Sequence, residues 1–335
     1  MELIIADASG RDLRMMGDFA LDMDVGWGDG TSNTFELQCA EGVPGAAWRV
    51  YADGTEAGGR VEGYKLQTSR TGRLLKWTGS TWAGVLEKRL LWPGRGQDYL
   101  TFSGDANGLL RWAVARLGLG GLFRVPDGEA GIAVSWRCLR DEPDAWTNLR
   151  LALRSAGARM KAEWSHGSCS LSAEAVVDWT DRVDTDLVDF DLTGDLLPPN
   201  RLLIAGEGEL AARAWADVYA NARGAVSTSQ SLTGSYQVDY FHDSNGTAAV
   251  DLIAEGSKKL SELQSQGSVE VTVRDGWEPG LGDLVTGSDR SLGVSVTAEI
   301  TGRRTRATGA GAAVTYTADG SSAAVRSIKE RSVGQ

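Results

Sequence analysis

No run of about 18 uninterrupted apolar residues occurs in the sequence, so no membrane-spanning helix is expected. Cysteine is scarce. Cys39, Cys138 and Cys169 are too few and too widely spaced for a disulfide framework or a Cys-x-x-Cys metal knuckle, and buried free thiols are the expectation. Histidine is scarcer still, with His166 and His242 alone, which leaves a thin inventory for acid–base chemistry. Positive charge is in deficit: the formal net charge of -11 repels a phosphate backbone and excludes nucleic-acid binding through basic patches, although not DNA as a passing neighbour. Neither a Walker-type loop nor a strand-linked Gly-x-Gly-x-x-Gly stands in a convincing position, so no phosphate cradle and no cofactor are expected. Residues Met1 to Asp7 carry neither a basic leader nor a long apolar segment; a secretory signal is not expected, and synthesis in a host cytoplasm is.

What is present describes an ordinary globular chain, 42% apolar and 24% charged. A length of 335 residues favours two or three compact units. Residues 1 to about 100 read as short strands between turns. Phe19 to Val25 and Thr34 to Cys39 alternate apolar and polar residues at period two, with a hairpin signal at Asp29-Gly30 between them. Ala47 to Tyr51 and Gly63 to Thr68 continue the pattern across Asp53-Gly54, and regular strands of this kind point to a barrel or sandwich.

After Phe102 the character changes. Leu109, Leu110, Trp112, Ala113, Val114 and Leu117 suit a helix that Gly118 stops, and a second helix runs from an Asp144 N-cap to Gly157. Two strands joined across His166-Gly167 complete an α+β unit. From Trp179 strands return, interrupted by a helix from about Thr247 to Leu263, and Val294 to Ile300 alternates strongly. The last residues, Arg326 to Gln335, form a polar tail that frays or is held by a neighbour.

Several residues invite a chemical reading, and each has a plainer one. His166 and Cys169 lie three apart, but a hairpin places them on a turn without a third, orienting group, so no catalytic residue is assigned. His242-Asp243 beside Asn245-Gly246 reads as a turn. The acidic run from Asp178 to Asp195 offers hard oxygen ligands for calcium, yet lacks the glycine and terminal glutamate of an EF-hand loop; a solvated or lumen-facing surface is favoured and no metal is assigned. Asp141, Glu142 and Asp144 superficially suggest a glycosidase pair, while helix capping accounts for Asp144 more simply. Twelve tryptophans serve as core or interface anchors, or as sugar-stacking platforms.

Three segments carry a family resemblance. Gly54-Thr55-Glu56-Ala57-Gly58-Gly59 resembles the glycine-rich turn before a strand in the first barrel of phage tail-tip hub proteins. Thr78 to Leu86 with Arg89 to Pro93, containing Trp82 and Trp92 beside nearby Trp77, is similar to a segment of siphophage hubs, and Ser103 to Leu109 continues it. Leu281-Gly282-Asp283-Leu284-Val285 followed by Val294 to Thr301 looks like the paired strands of the second barrel; physically, Gly282-Asp283 permits a tight turn into a strand.

The resemblance implies a mainly β fold with α+β. A first β-barrel hub domain (1–100), an α+β domain (101–178) and a second barrel (179–325) with a helical insertion at about 246–265 precede the polar tail (326–335). It also implies a non-enzymatic homotrimer whose two barrels per subunit build a pseudo-sixfold ring. Thr55, Glu56, Gly58, Gly59, Trp77, Trp82, Trp92, Gly282 and Asp283 would be its structural or interface residues. Partners would be a distal tail protein ring, a tape-measure protein and other tail-tip or receptor-binding proteins, with DNA only in passage and the virion as location. Any lytic or receptor-binding activity would sit on another polypeptide. A carbohydrate-binding or adhesion module is the alternative reading, and a cell-wall hydrolase the third.

Overall fold

Period-two alternation becomes strand wherever one face can be buried. In the computed structural model, Thr34–Cys39 buries Phe35, Leu37 and Cys39 and exposes the residues between them. The structure describes residues 1–27, 31–40, 42–69, 72–94, 97, 99–138, 144–165, 167–179, 188–194, 197–264, 267–273, 278–289 and 294–320. The Asp29-Gly30 turn, Asp141, Glu142, His166, the acidic residues Asp181, Asp184, Asp186 and Asp195, and the polar tail lie outside the described residues.

Along the chain run β1 (Leu3–Ala6), β2 (Asp12–Met16), β3 (Phe19–Gly26), β4 (Thr34–Cys39), β5 (Arg49–Tyr51), β6 (Gly58–Ser69) and β7 (Gly72–Thr81). Helix α1 (Trp82–Glu87) follows, then β8 (Thr101–Asp105), α2 (Ala106–Arg116), β9 (Phe123–Arg124), β10 (Ala133–Arg137), α3 (Ala145–Ser155), β11 (Ala158–Ser165) and β12 (Ser168–Ala175). Next come β13 (Val188–Gly194), β14 (Arg201–Ala205), β15 (Trp215–Ala220), β16 (Val226–Ser227), β17 (Asp239–Asp243) and α4 (Leu252–Gln264). The described chain closes with β18 (Gly267–Val273), β19 (Leu284–Asp289), β20 (Val294–Thr308) and β21 (Gly311–Gly320). The fold is mainly β, in several sheets, and among the described residues none of them closes into a barrel.

The chain divides into two compact units, one of Met1–Val183, Thr272–Val285 and Glu299–Thr317, the other of Asp184–Val271, Thr286–Ala298 and Ala318–Gln335. In the first unit the main sheet runs in the order β21, β20, β3, β4, β7, β6, β5, β1, β2. Strand β20 pairs antiparallel with β3, from Gly302 opposite Gly26 to Thr308 opposite Ala20. That approach needs a glycine: a Cβ on Gly26 would stand 2.2 Å from the Thr301 carbonyl oxygen. Helix α3 has the predicted cap, and α2 and α3 have the predicted stops. Asp144 accepts from the Thr147 amide at 2.8 Å to start α3, and Gly118 and Gly157 adopt φ of +66° and +68° just past α2 and α3.

In the second unit a four-stranded sheet, β16-β15-β14-β17, carries α4 on one face. Leu202, Ile204, Val218 and Ala220 of the sheet pack against Leu252, Leu260 and Leu263 of the helix. The helix starts at Leu252 rather than at Thr247 because Ser244 and Thr247 first close a turn, through a backbone bond of 3.0 Å and a hydroxyl–hydroxyl bond of 2.7 Å. Similarly, β5 is shorter than the Ala47 to Tyr51 alternation predicts, since Ala47 sits at φ +59°, outside strand geometry.

Candidate functional site

In the first unit, residues from each of the three sequence segments that carry the family resemblance meet one element, the β11–β12 hairpin. The glycine-rich turn reaches it through the backbone: the Gly54 amide donates to the Trp164 carbonyl at 3.0 Å, and the Trp164 amide to the Thr55 carbonyl at 3.1 Å. Thr55 shapes the turn itself, its hydroxyl donating to Ala52 O at 2.8 Å and accepting from the Ala57 amide at 3.1 Å. Glu56 accepts from the Ala162 amide at 3.4 Å and forms a largely buried ion pair with Arg303 of β20, tying together residues far apart in sequence. Burial works against the charge of Arg303, and attraction to Glu56 more than compensates, so its pKa is raised.

Gly58 and Gly59 are small because aromatic rings lie over them. A Cβ at Gly58 would approach the Trp82 ring to 2.6 Å, and one at Gly59 would stand 2.9 Å from Phe35 and 2.3 Å from the Ser80 carbonyl. Trp82, at the start of α1, stacks on Trp164 with centroids 5.3 Å apart, and Trp164 stacks in turn on Tyr51 at 4.4 Å. Trp77 is fully buried and donates its indole N–H to Gly42 O at 3.2 Å. Trp92 differs, retaining 37% of its exposure.

The third segment docks through Asp283. Its carboxylate is fully buried and accepts from the Val177 amide at 2.9 Å, the Gly280 amide at 2.8 Å and the Trp179 indole at 3.1 Å, while the Arg159 guanidinium of β11 lies 3.1 Å away. Gly282 turns at φ +93°, and its amide donates to Ile300 O at 2.8 Å. A carboxylate held by three donors and a cation needs no further ligand. The nine residues are thus gathered in the first unit, eight of them inward or in tight turns and Trp92 at the surface. Sequence reasoning missed Arg159, Trp164 and Arg303, the partners on which the segments converge. Their only signal was an aromatic or a charge within an alternating strand.

Chemistry of the nucleophilic kind finds little support here. Burial pushes the Cys169 thiol well above its usual pKa, the reverse of what a thiolate nucleophile requires. Cys138 donates its thiol to Leu91 O at 2.9 Å, and Cys39 is buried. His242 lies within β17 opposite Ile204, not on the expected turn. Among the described residues no His, Cys, Asp and Glu cluster is placed to hold a metal, and no helix is long and apolar enough to cross a membrane.

Two surfaces of the first unit suit protein contact. The outer face of the main sheet is polar: Asp22 receives Arg304 through two bonds of 2.8 and 2.7 Å, Lys76 meets Glu36 at 2.7 Å, and a shallow groove of about 660 Å³ runs beside them. The second is an edge. β5 covers β6 from Gly58 to Arg60 and the Val61 amide still donates to Trp48 O at 2.7 Å, so among the described residues β6 beyond Val61 has β7 on one side alone, with Tyr64 and Leu66 exposed.

No family model matches the sequence, and a search of curated proteins finds no match. Solved structures do match in fold. A 43 kDa tail protein of prophage MuSo2 from Shewanella oneidensis is 13% identical with a TM-score of 0.52, covering 95% of this chain and 97% of that one. A tail protein from Neisseria meningitidis MC58 is 12% identical with a TM-score of 0.51, covering 95% of each chain. The fold is therefore one that phage tail proteins adopt, as the resemblance in the sequence implied.

Proposed function

We propose that this chain is a structural component of a phage tail tip or baseplate hub, acting by assembly rather than by catalysis. The observation that carries the reading is end-to-end correspondence: two tail proteins share the fold over 95% of this chain and over nearly all of their own length. Because a fold hosts many functions, the surfaces must agree with it. An uncovered β6 edge suits strand addition by a neighbour, and a deficit of positive charge suits a wall past which DNA slides without sticking.

In this reading three copies form a ring in which the β-rich stretches at 1–100 and 179–325 take equivalent places, with the α+β segment 101–178 between them. The ring joins the tail tube and the distal tail ring to the host-facing tip and lines part of the genome conduit. The distal tail ring, the tape-measure protein and receptor-binding proteins are its partners, and the virion its location. Sedimentation of the purified chain, alone and with a distal tail protein, tests this: a ring of three is expected, and a monomer under every condition counts against it. A carbohydrate-binding module would keep one of its three candidate platforms, Trp92, since Trp77 and Trp82 are buried and offer no ring face to a sugar.

A further inference from the structure

The second unit carries an exposed apolar end. The strands β14 and β17 finish there at Ala205 and Asp243, β15 starts there at Trp215, and α4 begins just beyond. Leu210 is 91% exposed and Val250 85%, with Trp215, Phe241 and Ile253 each about half exposed. Trp215 and Phe241 lie on the sheet face away from α4, their ring centroids 6.1 Å apart. The loops bearing Leu210 and Val250 are tied at their bases by the Glu207 amide donating to Thr247 O at 3.0 Å.

Leu210 is held in place by a specific backbone. It sits at φ +51°, a left-handed conformation costly for a side chain of this kind, and a closed hydrogen-bonded loop keeps it there. Gly206 donates to Ala214 O at 2.9 Å, Ala214 to Glu207 O at 2.8 Å, and the Arg213 side chain to Gly206 O at 3.0 Å. An ordered loop that strains its backbone to point an apolar side chain at solvent is preorganised for a pocket elsewhere.

The surrounding charge selects the occupant. Glu207, Glu209 and Asp251 are exposed in the same loops, whereas Arg213 is engaged with Asp243. An acidic rim repels an anionic bilayer and also the same end of a second copy. A sugar would need a clear ring face, but the Arg213 guanidinium lies over Trp215, 5.6 Å from its centroid. We propose that this end docks into an apolar groove rimmed by Lys and Arg on a different polypeptide, with Leu210 as its anchor.

The test places a benzophenone amino acid at position 210 or 250 of the full chain, in the cell that encodes it, and maps the photo-adducts by mass spectrometry. Both positions should mark one other polypeptide, at an apolar segment flanked by basic residues. Leu210→Gly, which suits the positive φ and so preserves folding, should lower the adduct from position 250 by about tenfold, as should E207K with E209K. Adducts to this chain itself, adducts indifferent to charge reversal, no adduct, or binding of the purified chain to phosphatidylglycerol vesicles would each overturn the proposal. Adduct identity does not depend on how many copies of this chain associate, so a monomer that still marks the second polypeptide would refute the ring and leave this docking intact.

Discussion

The two units differ in whether aromatic rings build the core. In the first, Tyr51, Trp164 and Trp82 form a buried stack, and Trp77 packs edge-on against Trp48 at 6.0 Å. In the second, the core between sheet and α4 is aliphatic, while Trp215, Tyr236 and Phe241 remain exposed. Aromatic rings therefore build the core of the first unit, which also exposes Trp92 and Tyr64, whereas the core of the second is built without them. Charge divides likewise: the first unit buries Asp283 and Arg303 among partners, whereas ion pairs of the second, such as Arg201 with Asp217, are part-exposed and contribute little.

The largest effect should come from Asp283→Ala, which leaves the buried Arg159 with the part-exposed Glu174 as its remaining counter-charge and orphans three donors. A loss of about 3–5 kcal/mol is expected in urea unfolding, with Asp283→Asn retaining part of it. Trp82→Ala comes next at about 3–4 kcal/mol, because the Trp164 ring keeps Tyr51 but loses the other of its two stacking partners and a cavity opens. A loss below about 1 kcal/mol would show that the stack is not a core.

Asp105→Ala should cost about 1 kcal/mol at neutral pH, since Asp105 caps α2, accepting from Asn107 at 2.9 Å, and also accepts from Ala130 at 3.0 Å and Gly131 at 2.9 Å. Partial desolvation raises its pKa, but these amide bonds outweigh it and leave the carboxyl below its usual value. A depressed carboxyl stabilises the fold above its unfolded pKa and loses that contribution as pH falls through the folded one. The gap between wild type and Asp105→Ala should therefore close below about pH 4, as read by thermal melts. Trp215→Ala, the counterpart of Trp82→Ala on the other unit, should change stability by less than about 0.5 kcal/mol, and a larger loss would erase the contrast.

Local patterns carried much of the fold into the sequence. Alternation located β3 and β4, and Asp144, Gly118 and Gly157 marked helix ends through capping chemistry that depends on neighbours alone. Helix α1 escaped notice because Thr81 caps a six-residue helix with a glycine inside it, too short for a periodic signal. The candidate residues were legible as a set but not in their roles. Nothing in the sequence indicates that Asp283 would face Arg159, or Glu56 face Arg303, because those pairings depend on which strands become neighbours. Trp215 and Phe241 alternate as a buried strand would, and only the position of α4 determines which face is covered.

Electron cryomicroscopy of purified tails without imposed symmetry should show three copies of this chain around the tail axis at the tip, next to the sixfold tube. A particle lacking the chain, or holding it in a single off-axis copy, would contradict the ring of three.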